Sequence, residues 1–142
     1  MLLNLILASV MAAISVLIHF GGLSGITVLS RRYLRPLHAH HKLRPQAFVV
    51  LATVTAMIAL HSAEIWAYAF AYEWLNPDLS FNEALYFSIS TYTTLGYGDI
   101  VLSHEWRIFG ATEAMIGLLL IGWSTAFLVA VSGRLRVFAS SA

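Results

Sequence analysis

The sequence predicts an all-α membrane protein of three transmembrane helices plus one shorter re-entrant helix. Three observations predict this: an apolar composition, three long stretches almost free of charge, and a fourth apolar stretch too short to cross a bilayer. Of the 142 residues, 59% are hydrophobic and 11% charged, with a mean hydropathy of +0.78. Soluble domains run at about 45–50% apolar and about 25% charged. A deficit of charge this large excludes most soluble enzymes, and the length holds one domain. There is no cysteine, hence no disulfide framework, thiolate metal site or nucleophilic thiol. A net charge of +1 offers nothing to a nucleic acid.

Residues 1–30 contain no Asp, Glu, Lys or Arg, and a hydrocarbon core about 30 Å thick needs about 20 helical residues at 1.5 Å each. This is an N-terminal transmembrane helix. It is read as retained rather than cleaved, because Met1 to Asn4 lack the positive charge that opens a signal peptide. Gly21, Gly22 and Gly25 mark a helix end, a kink or a close helix contact. A basic linker follows at 31–45, carrying Arg31, Arg32, Arg35, Lys42 and Arg44 together with His38, His40 and His41. Topology and anionic lipid headgroups account for its charge.

The second span, 46–75, opens after Pro45, which suits a first helical turn. Next, Ser80 and Glu83 stand three apart ahead of Ala84-Leu85-Tyr86-Phe87, the pattern of a capping box. The helix it opens, 81–92, has roughly three turns and cannot cross. It must enter and return. It ends at Thr93-Thr94-Leu95-Gly96-Tyr97-Gly98-Asp99, non-helical backbone that is tolerated at membrane depth only when protein buries it or water reaches it. The last span, 106–133, is charge-free between Glu113 and Arg134 and leaves a short tail, 137–142.

Seven of the eight Lys and Arg residues lie in Arg31–Arg44 or at Arg134 and Arg136. By the positive-inside rule these segments are cytoplasmic, the N-terminus is outside, and the re-entrant segment opens from the outer face.

A cation entering a bilayer must exchange its water shell for other oxygens, since a bare charge in hydrocarbon costs many kcal/mol. Backbone carbonyls can supply them. To aim consecutive carbonyls at one axis the chain alternates between ordinary and left-handed conformations, and Gly96 and Gly98 remove the penalty of the latter. Carbonyls of Thr94, Leu95, Gly96 and Tyr97, with the Thr94 hydroxyl below them, would form rings of oxygen if several chains surrounded the axis.

Thr94-Leu95-Gly96-Tyr97-Gly98-Asp99 resembles the selectivity filter of potassium channels, Thr-Val-Gly-Tyr-Gly-Asp, with Leu in place of Val. The resemblance extends over roughly 46–135 and is to the bacterial-type pore domain, here with one additional N-terminal helix. It implies that 46–136 is a potassium channel pore domain, with outer helix 46–75, pore helix 81–92, filter 93–99 and inner helix 106–133. It further implies a homotetramer in the cell membrane, no enzyme activity, no organic cofactor, and K⁺ as the permeant ion held at Thr94, Leu95, Gly96 and Tyr97. Tyr97 would brace the filter diameter. A weakly selective cation channel and a non-conducting subunit of other channels are the alternatives.

Where better-known members carry a Trp-rich aromatic pair and an acidic residue behind the filter, this chain has Tyr86-Phe87 and Ser90. Filter support therefore falls to Thr93, Asp99, Tyr86 and Ser90, with Asp99 expected to bond the Tyr86 hydroxyl or a backbone amide. Tyr92 is bulkier than the residue often found at its place. Gly117 and Gly122 are candidate gating hinges or close-packing points, and Ser124 and Thr125 either face a cavity or bond their own helix. His61, Glu64 and Glu113 are ionisable groups inside spans, and such groups are functional suspects. They read as a structural hydrogen-bonded cluster, a proton sensor or a metal site. The N-terminal helix is expected to pack outside the outer helix.

Overall fold

The computed structural model of the chain describes residues 2–34 and 43–135. Among them run four α-helices, α1 (Leu2–Leu34), α2 (Leu43–Leu75), α3 (Phe81–Tyr92) and α4 (Arg107–Leu135), with a 3₁₀ turn at His104–Trp106 before α4. No strand occurs among the described residues. Three segments are long and apolar enough to cross a membrane, Leu2–Arg32, Gln46–Leu75 and His104–Gly133. The 12 residues of α3 span only about 18 Å at 1.5 Å per residue, so this helix stops inside.

Each boundary has a local cause. Pro45 lies in the first turn of α2, where a missing N–H costs nothing. At the far end of α2, the Asn76 amide bonds the Tyr72 carbonyl at 2.9 Å and the Leu79 amide bonds that of Asn76 at 2.9 Å, turning the chain at Pro77. Ser80 then caps α3: its hydroxyl accepts from the Glu83 amide, while the Ser80 amide donates to Glu83 Oε2 at 2.9 Å. The Ser80 hydroxyl, and after it the Ser80 amide, hold the Glu83 carboxyl below its ordinary range. The carboxylate side of this cap is therefore present at neutral pH and fades as pH falls through the lowered value. Ser80→Ala is expected to destabilise the folded chain by about 1 kcal/mol, read as a lower melting temperature in detergent; an unchanged melt would mean that packing alone sets the start of α3.

α1 does not lie outside the outer helix as the sequence suggested. It packs against both α2 and α4. The reason is the stripe it buries: Asn4, Ala8, Ser15, His19 and Leu23 recur at helical spacing on one face, and three of the five are polar and need partners. α1 runs unbroken through Gly21, Gly22 and Gly25, so these glycines end nothing. Gly22 is a close contact, since a Cβ there would overlap the Leu60 side chain of α2. At its N-terminal end, the Asn4 side-chain amide donates to the Glu105 carbonyl before α4.

The core that positions α3 is aromatic. The Tyr72 ring stands edge-on to Phe87 of α3 at 4.9 Å and to Phe109 of α4 at 5.4 Å, a favoured arrangement of ring quadrupoles. Outward faces of the long helices carry Leu17, Phe48, Leu51, Trp74, Leu119 and Val129 exposed, as lipid or a neighbouring chain requires.

Candidate functional site

The loop after α3 begins by spending its amides on the helix it leaves. Thr93 donates to the Ile89 carbonyl at 3.2 Å and Thr94 to that of Thr91 at 2.9 Å. The Ser90 carbonyl accepts twice, from Leu95 at 2.8 Å and Gly96 at 3.0 Å. Four successive amides are thereby folded back onto the C-terminal turn of α3, which satisfies its orphan carbonyls at Ile89, Ser90 and Thr91. Among the described residues, no donor meets the carbonyls of Thr94, Leu95, Gly96 or Tyr97.

Backbone conformation alternates through this stretch: φ is +61° at Thr94, +56° at Gly96 and +78° at Gly98. The glycines take the left-handed region freely. Thr94 takes it as a β-branched residue, an outlier of the kind that gathers at functional sites. Residue type assigns left-handed positions to the glycines alone; the alternation itself, extended one step back, reaches Thr94.

Support comes from both ends. The Tyr86 hydroxyl donates to Asp99 Oδ2 at 2.8 Å, and Asp99 Oδ1 accepts from the Ile100 amide at 3.1 Å, so both partners considered for Asp99 are used. Thr93 Oγ1 donates to the Ile89 carbonyl at 2.7 Å. Ser90 is buried, its hydroxyl bonded to the Phe87 carbonyl at 3.0 Å. In contrast, Leu95 and Tyr97 remain 56% and 66% exposed on the single chain. Behind the loop a cavity of about 310 Å³ opens toward α4, lined by Phe87, Thr91, Thr94, Gly96, Ala111 and Ala114 among others.

The intramembrane groups do not form one cluster. Glu113 of α4 accepts from the Tyr72 hydroxyl and, at 2.6 Å, from that of Ser88. Glu64 of α2 accepts from the Tyr92 hydroxyl, and its two oxygens lie 2.9 Å from His19 Nδ1 and 3.2 Å from His61 Nδ1. Glu64, Glu113 and His19 are all fully buried. Ser88 and Tyr92 are one turn apart on α3, so carboxylates from two different helices grip the end of α3 that carries the loop.

His19 gives no signal in a count of Asp, Glu, Lys and Arg, by which residues 1–30 are free of charge. An intramembrane histidine is as much a signal as a carboxylate. Tyr92, read as mere bulk, is the hydroxyl that ties α3 to Glu64. Ser124 neither faces a cavity nor bonds its own helix: its Oγ lies 2.9 Å from His61 Nε2. Thr125 does bond its own helix, at Ile121. α4 passes through Gly117 and Gly122 without a break; a Cβ on Gly117 would meet the Tyr92 carbonyl, whereas one on Gly122 would meet nothing. The stretch from Arg35 to Lys42, with His38, His40 and His41, lies outside the described residues, as does Arg136.

Glu113→Leu is expected to lower stability by about 1–3 kcal/mol, because it strands the buried Tyr72 hydroxyl. Glu113→Gln should be far milder: its carbonyl keeps Tyr72, and Ser88 can turn its hydrogen to the Ile65 carbonyl, 2.9 Å away. Thermal melts of both variants in detergent check the order, and equal losses would refute it.

A family model described as Ion channel matches residues 47–132, from the start of α2 to the end of α4 and more than half of the chain. No curated protein and no solved structure matches. α1 lies outside the matched region, which holds α3, the loop and both carboxylates. Together with three apolar helices long enough to cross a bilayer, the match makes this a multi-pass membrane protein, and the chain belongs to the two-transmembrane ion-channel family of the potassium-channel type.

Proposed function

We propose that four copies of this chain surround one axis and conduct K⁺ passively through a filter made by residues 93–99. One observation carries this reading: four consecutive carbonyls, Thr94 to Tyr97, are left without donors in a loop whose φ is left-handed at alternate residues. Such carbonyls are suited to replace the water shell of a permeant ion, and four chains are needed to close each ring. The exposure of Leu95 and Tyr97 and the open cavity behind the loop support assembly, since both offer apolar surface to a neighbouring chain. α2 is then the outer helix, α3 the pore helix and α4 the inner helix, with the N-terminus outside, the C-terminus cytoplasmic and Arg31–Arg44 at anionic headgroups of the cell membrane. Bending at Gly117 or Gly122 is a candidate for gating. Tyr86, Ser90, Thr93 and Asp99 hold the filter. No bond is made or broken, so the chain needs no catalytic residue and no organic cofactor.

Purified chain alone, reconstituted in liposomes, tests the proposal. Expected are K⁺ flux and, in mixed K⁺ and Na⁺, a reversal potential near that of K⁺. A reversal potential insensitive to the K⁺:Na⁺ ratio would make it a weakly selective cation channel, and absence of flux would make it a subunit that conducts only with other chains. Particles containing two chains, with their loops apart, would end the tetramer.

A further inference from the structure

The polar group around Glu64 has a shortage that the proposed pore does not explain. Six contacts join it: His19 to Glu64, His61 to Glu64, Tyr92 to Glu64, Tyr92 to His61, His61 to Ser124, and Ser124 to His19. Glu64, when ionised, brings no hydrogen. Tyr92, Ser124 and two neutral imidazoles bring one each. Four hydrogens serve six contacts, in a place where His19 and Glu64 are fully buried and an unmet acceptor costs free energy. The imidazole nitrogens are also arranged in two ranks. Both Nδ1 atoms face the Glu64 carboxylate, at 2.9 and 3.2 Å, and both Nε2 atoms face one Ser124 oxygen, at 2.9 Å from His61 and 3.4 Å from His19.

We propose that His19, His61 and Glu64 form an intramembrane binding site for a divalent transition metal of the zinc class. Two imidazoles and one carboxylate are a donor set that zinc accepts, and their ligand atoms already lie within 4.8 Å of one another. Ligands about 2.0–2.1 Å from a tetrahedral ion stand roughly 3.3 Å apart, so the groups need move little. A cation between the Nδ1 atoms and the carboxylate removes the need for hydrogens there. Each Nε2–H then donates to one of the two lone pairs of Ser124. Tyr92 continues to donate to the carboxylate. These are the outer partners that ligating groups require to fix their orientation. A water supplies the fourth position. The open edge is His61, whose side chain is 19% exposed. Bound metal would staple α1 to α2, with hydrogen bonds onward to α3 through Tyr92 and α4 through Ser124. The site does not depend on which ion the pore carries, or on whether the chain conducts.

The test uses the full chain in detergent with His38, His40 and His41 changed to Ala, which removes the linker histidines as competing ligands. After chelator treatment it is titrated with Co²⁺, whose visible bands report four-coordinate nitrogen and oxygen ligation, and Zn²⁺ is then used to displace it. Expected are one Co²⁺ per chain, displacement by Zn²⁺, loss of the bands in His19→Ala, and affinity lowered about tenfold in Ser124→Ala, which keeps all three donors. Bands that survive His19→Ala would overturn the proposal. So would the absence of bands in the chain with His19, His61 and Glu64 intact, a result that needs no folded variant and would leave an extra proton to fill the shortage.

Discussion

Gly96→Ala is expected to abolish K⁺ flux in liposomes while the helices remain folded. A Cβ at Gly96 meets nothing within 4 Å in the single chain, so the penalty is conformational rather than steric crowding. At φ +56° an L-residue costs about 1–2 kcal/mol, incurred once per chain and so four times in the proposed tetramer. The cheapest relief is for the chain to leave the left-handed region, which turns the neighbouring carbonyls away from the axis. Since four chains share each ring, one turned carbonyl per chain removes a whole layer of oxygen. Flux at the wild-type rate from Gly96→Ala protein would place the conduction path elsewhere. Thr94→Gly relieves strain at φ +61° and keeps the carbonyl but removes the hydroxyl below the rings, so the melt, and not the flux, reports the strain at that position.

Gly117→Ala is expected to reduce both stability and flux. A Cβ there would overlap the Tyr92 carbonyl oxygen and stand 3.0 Å from its carbon. The obstacle is backbone at the end of α3, two residues before Thr94, and cannot swing aside as a side chain would. Overpacking of this kind costs about 1–3 kcal/mol, and the displacement it forces is delivered to the start of the loop. Gly122→Ala, with open space around its Cβ, should leave the melt unchanged. A lowered melt for Gly117→Ala and none for Gly122→Ala, measured in detergent alongside flux, separates close packing from a hinge. Equal effects at both positions would argue that flexibility, rather than contact with Tyr92, is what the glycines provide.

The features legible in the sequence are those whose physics is local. The three spans follow from runs without charge, and the start of α3 follows from the reciprocal bonds of Ser80 and Glu83. The left-handed positions at Gly96 and Gly98 follow from residue type, and the Tyr86 to Asp99 bond from two polar groups left near one loop. What depends on how helices rotate against one another was not legible. Periodicity alone does not say that Glu64 turns to Tyr92 while Glu113 turns to Tyr72 and Ser88. Nor does it say that α1 reaches α4 as well as α2. A clue to that packing is His19, whose cost inside a membrane demands a partner on another helix.

His19 also constrains how the protein is made. As the chain leaves the ribosome, α1 emerges with an imidazole whose partners come much later, Glu64 after 45 residues and Ser124 after 105. Until α4 is inserted, the group has no complete set of neighbours. α1 is made before its partners and completed only after them, so biogenesis must hold it nearby, unfinished, until α4 has followed.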